Sequence, residues 1–271
     1  MTAEALGAFD LVLAYPQWQG SGRGENLPRG AAAAAQVCGR FGPMETVQIS
    51  PELTGANGVN CWSAIFDQFR SAQGILDVRR PKRLLTAGGD CAVDIATIDY
   101  LNGLYPNLTV VWIDAHLDAN TPETSPSGNF HGMPVSAILG RAPEAMQRLL
   151  GTPIDPGRFR YFGIQVGDEG DWALQREYDL KTLDPGSSIS GPVHIHFDLD
   201  VLDPHEFPYL AYTDGKVAVE DAVGLVSKIA QDAELVGLTV TEFSPASEGE
   251  AEEGSKIIAQ LCQAALAHQG S

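Results

Sequence analysis

Apolar and polar positions along this chain follow two alternating rhythms. Phe9 to Tyr15 (FDLVLAY), Glu45 to Ile49 (ETVQI), Arg83 to Ala87 (RLLTA), Leu108 to Ile113, Arg158 to Ile164 (RFRYFGI), Val193 to Phe197 and Leu235 to Phe243 read as strands. Val110 to Ile113 is continuously apolar, as a strand buried on both faces must be. Between the strands, apolar residues recur at helical spacing over Ala31 to Arg40, Cys61 to Val78, Ala92 to Leu104, Val135 to Leu150, Asp168 to Glu177, Val217 to Asp232 and Glu250 to His268. Trp62, Ile65, Phe66, Phe69 and Ile75 form one such stripe. Strand and helix alternate with no repeat and no linker. This predicts an α/β fold of three αβα layers, with a doubly wound, mostly parallel sheet in a single domain over residues 1–271.

In such folds ligands bind beyond the carboxyl ends of the strands. Five predicted strands deliver polar groups there: Asp90 and Cys91, Asp114 to Asp118, Asp168, Asp198 with Asp200, and Glu242. Alternate side chains of an extended segment point the same way, so Asp114, His116 and Asp118 converge. VHIHFDLDVLDP brings Asp198, Asp200 and Asp203 to a second strand end. Carboxylates with one imidazole suit Mn²⁺, with two ions sharing carboxylates, and such ions acidify a water. The reaction class this implies is metal-assisted hydrolysis in an acidic pocket that prefers a cation. The long polar segment from Asp114 to Gly132 fits a functional loop. The GSGRG stretch matches neither nucleotide-binding glycine pattern and reads as a loop beside the site.

Composition narrows the partners. The 271 residues are 44% hydrophobic and carry a formal net charge of -18. So acidic a chain is unsuited to nucleic acid and to anionic membranes. Four cysteines without a CxxC pair read as thiols of a reducing compartment. MTAEALGAFD has no signal-peptide pattern and no run has membrane-spanning length, so the expected location is cytoplasmic.

DAHLDANTPETSPSGNFHGMP, FDLDVLDP and VTEFSP resemble the signature segments of the arginase, or ureohydrolase, superfamily, and GGDC resembles its GGDH. The similarity runs from about Gly88 to Pro245. It implies an arginase-like fold and two Mn²⁺ ions bridged by Asp114 and Asp198. Asp118 and the residue at position 91 would complete one ion, and His116 and Asp200 the other. The resemblance further implies that Asp118 steadies a hydroxide, that His131 shuttles a proton and that Glu242 pairs with a guanidinium. Asn120, Ser127 and Asn129 match positions that hold a substrate α-carboxylate, and Asp168 one that meets the α-amino group. The implied partner is a small guanidino amino acid; family analogy also implies an oligomer.

Departures from the pattern sharpen this. Cys91 stands where the family has a histidine ligand. A thiolate binds manganese less readily and adds charge, so the ion on that side is expected to be weakly bound and a poorer Lewis acid. A less basic guanidine suits such a centre. The Nω-hydroxy-L-arginine amidinohydrolases of D-cycloserine biosynthesis carry cysteine here, and the chain is similar to them, which implies hydroxyurea and L-ornithine as products. Conventional arginase, agmatinase or formimidoylglutamase activity stays open. So do a thiol hydrolase using Cys91 and His131, and a non-catalytic relative. HEFPYLAYTDG after Asp203-Pro204, and Glu242-Phe243-Ser244-Pro245 in place of ExNP, alter the pocket wall.

Overall fold

The structure, a computed structural model, describes residues 9–266. Eight strands form one sheet: β1 (Leu11–Tyr15), β2 (Met44–Thr46), β3 (Leu84–Gly88), β4 (Thr109–Ile113), β5 (Phe159–Phe162), β6 (Lys181–Thr182), β7 (Pro192–Asp198) and β8 (Glu234–Thr241). Their order is β2-β1-β3-β8-β7-β4-β5-β6, and every pairing is parallel. The helices are α1 (Leu27–Cys38), α2 (Trp62–Arg79), α3 (Asp94–Leu104), α4 (Pro134–Ser136), α5 (Glu144–Gln147), α6 (Glu169–Glu177), α7 (Val219–Asp232) and α8 (Glu248–Ala264).

Strand alternation sorts the core into two layers. Leu11, Leu13, Val110 and Trp112 pack with α2 and α3, whereas Val12, Val111, Ile113, Ile195 and Phe197 pack with α1, α7 and α8. The three-layer doubly wound architecture is therefore as expected. The last two strands insert at the centre, between β3 and β4. The four adjacent strands β3, β8, β7 and β4 thus end at the switch point, where an open α/β sheet leaves a crevice.

Several boundaries moved. The single helix expected over Val135 to Leu150 is broken into α4, a π-helical turn over Ala137–Arg141 and α5. Gly140 adopts φ 93° and Pro143 follows, and neither continues an α-helix. The strand expected over Arg158 to Ile164 stops at Phe162, because Gly163 turns to φ 93°. The edge strand β6 is too short and polar to carry a periodicity signal. The expected helix end at His268 and most of the amino-terminal segment MTAEALGAFD lie outside the described residues. No described helix is long and apolar enough to cross a membrane, and all four cysteines are unpaired.

Gly89 couples three segments at the site. Its N–H donates to Tyr15, its carbonyl accepts from the Glu242 N–H, and a Cβ there would lie 1.8 Å from the Gln17 carbonyl oxygen. Backbone cannot yield as a side-chain tip does. Gly89→Ala is expected to cost about 1–3 kcal/mol or more, read as a lowered denaturation midpoint with unchanged slope. An unaltered midpoint would show that the loop gives way freely.

Candidate metal centre

Three strand ends finish in the same way. An aspartate closes the strand and its side chain accepts the backbone N–H two residues on, the local turn that aspartate favours. Asp90 accepts from Ala92 at 3.1 Å, Asp114 from His116 at 2.6 Å and Asp198 from Asp200 at 2.7 Å. The turns aim the following side chains into the crevice.

Two groups of ligand-type atoms result, each with its atoms within 4.8 Å of one another. One is Cys91, Asp114, His196 and Asp198; the other is Asp114, His116 and Asp200. Asp114 belongs to both. The expected ligands Cys91, Asp114, His116, Asp198 and Asp200 are therefore brought together. Asp118 lies in neither group. It is close enough, however, for Asp114 to raise its pKa. The Cys91 thiol donates to Asp198 at 2.8 Å. The Asp90 side chain turns away, accepting from Gln17 at 2.9 Å and from the Gly20 N–H at 2.8 Å. It pins the Gly-rich loop beside the site, where that loop was expected.

Electrostatics test whether this cluster suits cations. Asp114, Asp118, Asp198 and Asp200 are all buried. Burial, then neighbouring carboxylates, push Asp118 and Asp198 well above the usual carboxylate range, and Asp200 up to about 7. Asp118 Oδ2 and both Glu242 carboxylate oxygens are buried without a hydrogen-bond donor. Buried carboxylate oxygens without hydrogen bonds are costly unless a cation accompanies them. Asp118 and Glu242 also adopt φ 49° and 58°. Such strain in non-glycine residues collects at functional sites. The donor set thus fits divalent cations.

The second proton-bearing group lies alongside. His131 Nδ1 is 3.5 Å from Glu242 Oε1. Burial opposes a charged imidazole there, but Glu242 and Asp90 outweigh it and raise the His131 pKa. Cys91 is poorly suited to be a nucleophile: burial and then Asp198 push its thiol well above its ordinary value, the reverse of an activated thiolate.

The residues expected to hold the substrate's amino-acid end form a separate rim. Asn120 donates to Asp168 Oδ2 at 3.0 Å, while Asp168 Oδ1 caps α6 by accepting from Gly170 and Asp171. Asn60 donates both to the Ser127 carbonyl and to Asn129 Oδ1. Ser127 Oγ accepts from the Asn129 N–H at 3.2 Å.

Sequence reading missed four neighbours. His196 stands in a ligand group, and Asp214 Oδ2 lies 3.3 Å from His116 Nε2. Tyr212 faces both His116 and His131, with Arg23 over its ring. Asn60 steadies the rim. Only His196 carried a signal, since the HIHFD alternation puts it on the same strand face as Asp198.

The chain is similar in sequence and fold to known arginases. The chain is 29% identical over 189 residues to the arginase of Saccharomyces cerevisiae, covering 59% of this chain and 56% of that protein. With a Staphylococcus aureus arginase it shares 28% over 187 residues, covering 61% and 62%. The matched stretch thus spans less than two thirds of these relatives. The fold superposes on the Entamoeba histolytica arginase in complex with L-ornithine with a TM-score of 0.81 at 22% identity, covering 94% and 96% of the two chains. On the proclavaminate amidino hydrolase of Streptomyces clavuligerus the TM-score is 0.69 at 20% identity, covering 96% and 93%. The model of the arginase family matches residues 63–268, well over half of the chain, and the chain belongs to that family.

Proposed function

We propose that this chain, acting as one catalytic unit, hydrolyses the guanidino group of an α-amino acid, with Nω-hydroxy-L-arginine as substrate and hydroxyurea and L-ornithine as products. Family membership supports the reaction class. The observation that carries the substrate is Cys91, placed among the carboxylates where a histidine was expected. Cys91, Asp114, His116, Asp118, Asp198 and Asp200 would hold two Mn²⁺ ions, Asp114 belonging to both ligand groups. When bound, such ions supply a water of lowered pKa.

The chain's own residues do the rest. Glu242, buried beside His131 with neither oxygen hydrogen-bonded, receives the guanidinium. Asp118 orients the attacking water. Water's oxygen ends on the guanidine carbon, the bond to Nδ breaks, and Nδ leaves as the primary amine of L-ornithine. His131, beside Glu242, delivers the proton to that nitrogen. Asn120, Ser127 and Asn129 would hold the α-carboxylate, and Asp168 the α-amino group.

A hydroxyl on the guanidine lowers its basicity and so asks less of a charge-rich ion. Steady-state kinetics at saturating Mn²⁺ on L-arginine, agmatine and Nω-hydroxy-L-arginine test the reading. The expected kcat/KM favours the hydroxylated substrate by about tenfold or more, roughly 1.4 kcal/mol, and Cys91→His narrows the gap. A preference for L-arginine would instead make this a conventional arginase.

A further inference from the structure

The strand face that carries Asp198 also carries His194 and His196, and behind them lies a closed polar network. Asp94, buried on α3, accepts from His194 Nε2 at 2.8 Å and from His196 Nδ1 at 2.9 Å through Oδ2, and from Thr239 at 2.6 Å through Oδ1. An ionised carboxylate can only accept, so the His196 proton sits on Nδ1 and the lone pair on Nε2. That nitrogen faces the crevice. It is 3.5 Å from Thr241 Oγ1, which is itself 3.6 Å from Cys91 Sγ. The ring is held flat against Trp112, with centroids 3.5 Å apart and planes at 4°. The Trp112 indole N–H in turn donates to Asp114 at 3.0 Å.

We propose that His196 Nε2 is a ligand of the ion on the Cys91 side, oriented by Asp94. This rests on the reading that the carboxylate cluster holds two ions. Imidazoles that bind metals donate their other N–H to a carboxylate or carbonyl, which fixes tautomer and direction. His196 has that arrangement with Asp94, just as His116 faces Asp200 and Asp114 with one nitrogen and Asp214 with the other. The imidazole absent at position 91, beyond β3, is thus supplied from β7, two strands away. It is neutral, so it joins the ion's shell without adding to the charge of Cys91, Asp114, Asp118 and Asp198. A shell in which a thiolate and an imidazole stand beside the carboxylates is also softer than the Asp114, His116 and Asp200 group.

The test is anomalous diffraction from crystals of the whole chain soaked in Mn²⁺ and, separately, Co²⁺. The expected result is a peak among Cys91, Asp114, Asp198 and His196, with Nε2 about 2.0–2.2 Å from the ion. An ion there with Nε2 beyond about 3 Å, still beside Thr241, overturns this inference and leaves the two-ion reading standing. No ion anywhere in the cluster overturns that reading itself. In solution, Asp94→Asn keeps the shape of the network but weakens the hold on His196. Affinity for one of two Mn²⁺ ions, measured by calorimetry, is expected to fall about 10–100-fold while the other is unchanged. Unchanged affinity at both would sink the role of Asp94.

Discussion

Asp198→Asn is expected to lose turnover and at least one metal ion together. The substitution is nearly isosteric, and its remaining oxygen can still accept the Asp200 N–H that Asp198 takes at 2.7 Å. The fold should therefore survive. What disappears is a buried negative charge within the Cys91, Asp114 and His196 group. Losing Lewis-acid stabilisation of several kcal/mol corresponds to a fall in kcat/KM of roughly 10³-fold or more. Elemental analysis should find metal content reduced from two ions to one or fewer. Asp203→Asn is the control. That carboxylate accepts the His205 N–H and stands in neither ligand group, so its rate should stay within about tenfold of the parent. Two ions retained with full activity in Asp198→Asn would remove Asp198 from the centre.

Stripping the metal should make stability depend on pH in an unusual direction. Most folded proteins gain from ionised carboxylates. Here burial, then Asp114, raise the Asp200 carboxyl to about 7 from an ordinary value of 3.8, and Asp118 and Asp198 move the same way. A raised folded pKa means that the native chain holds protons the unfolded chain has released. Stability from Asp200 is then fully present below about pH 4 and is lost as pH rises to about 7, at up to ~1.4 kcal/mol per pH unit, and Asp118 and Asp198 add losses in the same direction. Asp114, held low despite burial by His116, acts in the opposite sense, but only below the ordinary carboxylate range. Mn²⁺ binds the ionised forms, so its stabilising effect must grow with pH. At a hundredfold excess over Kd the gain is about 2.7 kcal/mol, or roughly 5–10 °C in Tm for a chain of this size. Melting curves from pH 5 to pH 8, with EDTA or Mn²⁺, should show a gap that widens as pH rises. A constant gap would mean that these carboxylates are not the groups the metal meets.

What could be read from the residues was whatever depends on near neighbours in the chain. The approach of His116 to Asp114 and of Asp200 to Asp198 needed only the spacing of two residues, whereas Asp118, expected to converge with them by strand alternation, lies beyond the end of β4 at φ 49° and in neither ligand group. The turn each aspartate makes with the N–H two residues on is equally local. Boundaries failed where a few local breakers acted together, as at Gly140 and Pro143 in the expected helix over Val135 to Leu150. Other features lay beyond reach because they join distant positions. Asp94 meets His196 across 102 residues, and Asp214 meets His116 across 98. No periodicity encodes such a meeting. It follows from the order in which β7 and β8 insert between β3 and β4, which is a property of packed layers rather than of any single stretch. The sequence by itself therefore determined the kind of fold and the acidic half of the centre. Only the tertiary structure decided that His196 joins His116 at that centre, which carboxylates hold the two rings, and that Asp118 and Glu242 meet it from strained backbone.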